Sequence, residues 1–203
     1  MMLMFCMTCN FVVITGIQFW ITDYFINVMG IDQTAAYKLY FLCGAVGPIG
    51  GIILCAFLFD RIGGYTSEMA FPVMGMFGFF AMLFGLFSLT AGESAITCAC
   101  LISLELFCGA FVMPAATGIM LNQVPPNMRT MANSIANLSY NLFGYLPAPL
   151  MYGFFYDMGE TKKNNLGLAS IQAFTVISFL GFLVVYTRNR YVTNSFSHIS
   201  DVS

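Results

Sequence analysis

Six apolar runs, each about as long as a helix that crosses a lipid bilayer, dominate this chain. They occupy residues 3–29, 38–59, 68–90, 95–121, 131–156 and 166–187. The runs are continuous rather than alternating, which excludes a transmembrane β-barrel. Backbone polar groups in lipid must be satisfied within their own segment, which excludes open sheets. Charge identifies the solvent. Only 8% of the 203 residues are charged and 59% are hydrophobic, whereas a soluble domain carries roughly 25% charged residues. The chain therefore reads as an all-α integral membrane protein, multi-pass, with the lipid bilayer as its first partner. A six-helix transmembrane bundle is expected over residues 1–190 and a polar C-terminal tail over 191–203.

Turn signals separate the runs. Gly30 and Asp32 follow the first, Asp60-Arg61-Ile62-Gly63-Gly64 the second, Ala91-Gly92-Glu93 the third and Val124-Pro125-Pro126-Asn127 the fourth. A polar loop from Gly159 to Asn165, with Lys162 and Lys163, follows the fifth. Loops this short make sequential helices antiparallel neighbours. The N-terminal run has no basic start and is too long for a cleaved leader, so it is read as a true span. A start inside the cell places Arg61, Arg129, Arg188 and Arg190 inside and Lys38, Lys162 and Lys163 outside, a weak charge bias.

Several function classes are excluded. Net charge is −2 and the single histidine is His198, so there is no basic patch to neutralise phosphates and no nucleic-acid partner is expected. Cys6, Cys9, Cys43, Cys55, Cys98, Cys100 and Cys108 all lie in apolar stretches. With no histidine or further cysteine to complete a site, they read as buried thiols, and no metal or cofactor is expected. There is no phosphate loop and no histidine-based triad, so the chain is not read as an enzyme.

Polar residues within the runs are the candidate site. Glu105 lies mid-span, where a carboxylate is costly unless paired, protonated or wetted. It is either a proton-coupling or substrate-binding group, or a neutral acid bonded to a neighbouring helix. Thr15, Gln18 and Thr22 are spaced by three and four and share a helix face. Nearby Asp23 either belongs to that face or snorkels to the interface. Asn133, Asn137, Tyr140 and Asn141 form a second stripe. Asparagine is a poor interior helix former, so the stripe either lines a cavity or bonds a neighbouring helix. Asn137-Leu138-Ser139 is formally a glycosylation sequon, but its place inside a span argues against modification. The third and sixth runs are almost purely apolar, with Gly75, Gly78, Gly85 and Gly181 as packing points, and read as outer scaffold helices. In the second run, Gly44, Gly47, Pro48, Gly50 and Gly51 provide either a moving helix contact or static close packing.

Three of these stretches resemble known carriers. Asp60, Arg61 and Gly63 match the loop motif of the major facilitator superfamily, G-x-x-x-D-R-x-G-R-K/R. Ala56 stands at the leading glycine, and Gly64 and Tyr65 stand at the basic pair, so the charge-relay part is missing. Val124-Pro125 through Arg129 and Ala132, followed by Gly144, Pro147, Pro149, Gly153 and Asp157, resembles spinster-like transporters. Organic-anion transporting polypeptides carry a similar proline-rich stretch. Thr15-Gly16 with Trp20 resembles the spinster seventh helix.

The resemblance is to the second half of a twelve-span protein, and it implies two inverted three-helix repeats. It implies secondary active or facilitative transport of a small organic solute, an organic anion or a lipid-like molecule, by alternating access. Glu105, Thr15, Gln18, Asp23, Asn137, Tyr140 and Asn141 would then line the solute path, and Asp60, Arg61 and Gly63 would form a conformational loop. The partner would be a second six-helix half, either separate or in a longer gene product, or a second copy in a homodimer. The alternative is a non-transporting relative that serves as a membrane scaffold or sensor.

Overall fold

The computed structural model describes residues 1–91, 94–159 and 165–200. The expected turn residues Gly92 and Glu93, the loop lysines Lys162 and Lys163, and residues 201–203 of the tail lie outside the described residues. Helix α1 spans Met2–Asp23 and continues through a π-helical turn at Tyr24–Val28. Helix α2 (Gln33–Phe41), a π turn at Leu42–Val46 and α3 (Gly47–Arg61) form one path. Helices α4 (Ala70–Leu89) and α5 (Ala95–Asn122) follow. Helix α6 (Arg129–Tyr140), a π turn at Asn141–Tyr145 and α7 (Pro147–Asp157) form a second interrupted path, and α8 covers Leu166–Ser200.

Local sequence explains these bounds. The second helix begins at Gln33 rather than at 38 because the Asp32 carboxylate accepts the Thr34 amide at 3.0 Å. The Ser94 hydroxyl caps α5 by accepting the Thr97 amide. Pro48 and Pro147 cannot donate to the carbonyl four residues back, and each follows a π turn in which the helix widens. After Arg61 the chain reverses through Gly63 and Gly64 at φ 91° and 84°. A side chain there would be strained, so glycine is required. The backbone of α8 stays helical through Ser200, beyond the start of the expected polar tail.

Among the described residues, five helices are long and apolar enough to cross a membrane: Met2–Val28, Gln33–Arg61, Ala70–Leu89, Ala95–Asn122 and Leu166–Arg188. The expected fifth span, 131–156, is not among them. It is broken at Leu146, ahead of Pro147 and Pro149, and its first part is the most amphipathic helix of the chain.

Packing follows small residues. Gly47 and Gly51 of α3 lie directly on the Ser103 and Phe107 carbonyls of α5, so these two helices run parallel in close contact. Helix α4 runs antiparallel to α5, with Phe77 stacked on Phe111 at 3.7 Å between ring centroids. Helix α8 runs antiparallel to α1, and the Ser178 hydroxyl donates to the Cys6 carbonyl at 2.9 Å. It also packs on α4 where Gly78 meets Phe179 and Phe182. The interrupted α6–α7 path lies parallel to α1. Tyr140 meets Met7, Tyr145 meets Phe19, and Tyr152 stacks on Trp20.

Candidate functional site

The α6–α7 path runs alongside the first helix, and its contacts climb α1 from Met7 to Trp20. Helix α6 presents two faces there. Ala136 and Tyr140 are buried against α1, while Thr130, Ser134, Asn137 and Asn141 are exposed. The asparagines are held by their own helix. Asn137 Nδ2 donates to the Asn133 carbonyl at 3.0 Å, and Asn141 Nδ2 donates to the Asn137 carbonyl at 2.8 Å. Their amide oxygens therefore remain as outward acceptors. The structure thus gathers Asn133, Asn137 and Asn141 into one ladder.

Tyr140 leaves that ladder. It is buried, its hydroxyl donates to the Met7 sulfur at 3.1 Å, and its ring stacks on Phe11. Expected as a cavity group, it is instead a packing group, because the turn of helix that exposes Asn137 and Asn141 points it at α1. Thr15 is buried as well, between Phe11 and Phe19 on the face that meets α6 and its π turn. Gln18 alone of the Thr15, Gln18 and Thr22 stripe is exposed. Asp23 is partly buried and accepts the Asn27 amide at 2.6 Å. It lies toward the opposite end of α1 from the level of Asn137, roughly 25 Å away at 1.5 Å per residue.

Glu105 stands apart from all of these. Only 2% exposed, it is enclosed where α4, α5 and α8 meet. Its Oε2 accepts Gln172 Nε2 at 2.8 Å, and its Oε1 lies 3.2 Å from the Thr175 hydroxyl. The expected cavity-facing acid thus faces α4 and α8. Its partners carry a sequence signal: Gln172 and Thr175, with Ser178, are spaced by three along the otherwise apolar sixth run. Asn10 was missed. It is buried and donates to the Gly109 carbonyl at 3.1 Å.

The loop motif is built differently from its charge pattern. Arg61 lies 4.5 Å over the Phe57 ring. Tyr65 covers Gly118 of α5 and lies 4.8 Å from Phe59. Burial pushes the Tyr65 phenol above its ordinary range. An aromatic anchor thus occupies a position of the missing basic pair. Among the described residues, no three His, Cys, Asp or Glu side chains converge as a metal site. Comparison with known proteins gives one result. The family model described as Major Facilitator Superfamily matches residues 1–149. No curated protein and no solved structure matches the chain.

Proposed function

Because the chain belongs to the major facilitator superfamily, a family of membrane solute transporters rather than of enzymes, we propose that it moves a small organic solute by alternating access as one half of a carrier. The protein is integral to the membrane and multi-pass. The observation that carries the proposal is the exposed asparagine ladder of α6, on a helix packed alongside α1. Exposed amides facing lipid would be costly, whereas facing a water-filled path they are solvated. The α6–α7 path is then a sixth crossing. Gln18 and the ladder line the path, with Asp23 toward one mouth, while Thr15 and Tyr140 fix the wall.

An inverted repeat is supported by internal spacing. The π turns at 42–46 and 141–145 lie 99 residues apart, as do Pro48 and Pro147. The buried pair Asn10 and Gly109 has the same separation. Two repeat-related residues that touch one another lie near a two-fold axis. The exchange that maps α1 onto α5 also maps the α3–α5 contact onto the α7–α1 contact. The exposed face would be covered by a second six-helix bundle, either another half or a second copy. The solute class, organic anion or lipid-like, and the kinship with spinster-like carriers rest on the Pro125, Arg129, Pro147 and Pro149 stretch.

The test has two arms. In a Cys100→Ser background, which removes the exposed thiol, Asn137→Cys should react with a membrane-impermeant maleimide, and lipid-facing Leu183→Cys should not. Liposomes holding the chain with a candidate partner half should take up anions or lysolipids under an imposed pH gradient. Absence of both labelling and uptake would leave the scaffold reading.

A further inference from the structure

We propose that Glu105 holds a proton in the folded bundle and serves as a hydrogen-bond donor at the junction of α4, α5 and α8, a proton-binding site set apart from the asparagine ladder. The case is an accounting of hydrogens. The Thr175 hydroxyl has one proton. It faces two acceptors, Glu105 Oε1 at 3.2 Å and Gln172 Oε1 at 3.1 Å. The Gln172 amide spends its protons on Glu105 Oε2 at 2.8 Å and toward Ser88 Oγ at 3.5 Å. Ser88 donates its own proton to the Gly85 carbonyl at 2.7 Å. With an ionised Glu105, one of the two oxygens facing Thr175 has no donor, and a buried acceptor left alone is costly. With a proton on Oε1 the ring closes. Glu105 donates to Thr175, Thr175 donates to Gln172, and Gln172 donates back to Glu105, an arrangement in which each bond strengthens the next.

The choice of amide orientation does not alter this result. Turned over, the Gln172 oxygen would face Glu105 Oε2 across 2.8 Å. Two oxygens at that distance need a proton between them.

The surroundings supply no compensating charge. Helix α4 carries no ionisable side chain, and α8 carries none from Leu166 to Val185. On α5 the other ionisable groups are the thiols of Cys98, Cys100 and Cys108. Helix α1, which meets α5 at Asn10 and Gly109, brings Cys6 and Cys9. Helix α3 brings Cys55, with Asp60 and Arg61 only at its far end, where Arg61 lies over Phe57. The site is also shaped for its occupants. A Cβ on Gly85 would come within 2.5 Å of Gln172 Oε1 and 2.7 Å of Glu105 Oε1. Glycine at 85 leaves the volume that the acid and amide fill.

Glu105→Gln separates the two protonation states. A glutamine can place N–H where the acid places O–H, toward Thr175, and C=O toward Gln172. It reproduces the donor pattern of the protonated acid and not that of the carboxylate. The expected result is an unchanged melting midpoint for Glu105→Gln and a lowered one for Glu105→Leu. Infrared spectra of the wild-type chain in lipid at neutral pH should show the carbonyl band of a neutral carboxylic acid. That band should be lost in Glu105→Gln and shifted in Thr175→Val, which removes the proton's acceptor. Absence of the band from the wild-type chain would overturn the proposal, whatever the variants do. A Glu105→Gln midpoint as low as that of Glu105→Leu would overturn it as well.

Discussion

Replacing Gly51 by alanine should separate α3 from α5. A Cβ at position 51 would run into the Phe107 carbonyl oxygen and lie 3.0 Å from its carbon and 3.1 Å from the Phe111 nitrogen. Every obstacle is backbone, so no side chain can swing aside. Restoring a tolerable contact requires the helices to part by about 1 Å, which a close-packed interface resists. Overpacking costs typically 1–3 kcal/mol, and a backbone obstacle places this case near about 3 kcal/mol. That is roughly a hundredfold in the folding equilibrium at about 1.4 kcal/mol per tenfold. The assay is built into the chain. Six of the seven cysteines are buried, so a thiol-reactive dye in detergent reports unfolding. Gly75→Ala is the control, because nothing lies within 4 Å of its added carbon. Alanine there should stabilise the helix by about 0.5–1 kcal/mol through lost unfolded-state freedom. The two variants should move in opposite directions. Gly51→Ala melting with or above Gly75→Ala would refute the backbone-contact reasoning.

Two further outcomes follow from named contacts. Gly118→Ala would bring a Cβ within 2.5 Å of Tyr65 Cγ. That atom is too near the backbone to turn away, so the loop itself must lift. A local cost of about 1–2 kcal/mol predicts roughly tenfold faster tryptic cleavage after exposed Arg61. Cleavage at the wild-type rate would show that Tyr65 does not anchor the loop. Ser178→Ala removes a buried donor to the Cys6 carbonyl. It should cost about 1 kcal/mol in the dye assay, and no loss at all would show that the bond does not tie α8 to α1.

Element existence was legible where composition alone decides it. Continuous apolar runs can only be helices in lipid, and the elements among the described residues are helical, with five helices long and apolar enough to cross a membrane. Boundaries depended on single capping groups. Asp32 moved the second start to Gln33, because one carboxylate on one amide outweighs the turn-forming neighbours. The asparagine stripe could be read because spacing fixes a face. Tyr140 could not be assigned from spacing, since one residue's rotation, about 100°, separates an exposed side chain from a buried one. Glu105 shows the deeper limit. Its cost in lipid was evident, and so was the absence of a basic partner. What sequence did not give was the direction it faces, because α5 is apolar on all sides and no periodicity marks which helix covers Glu105. The partner signal lay in Gln172, Thr175 and Ser178, masked by the high mean hydropathy of α8.

The same contacts divide the bundle into a stiff side and a soft one. The Glu105, Gln172, Thr175 and Ser88 cluster fastens α4, α5 and α8 through side-chain bonds that cross between helices. The α6 asparagines bond only within their own helix, so they add nothing to interhelical stiffness. Both interrupted paths carry a π turn followed by proline, at Leu42–Val46 and Asn141–Tyr145. There the regular ladder is already broken and bending forfeits fewer bonds than elsewhere. Displacing one end of either path therefore costs least at these two turns. Each turn sits beside a glycine contact that fixes the neighbouring segment, Gly47 on Ser103 in one case and Gly144 on Phe11 in the other. A bundle made this way resists bending least at these two matched turns and most where Glu105 joins α5 to α8.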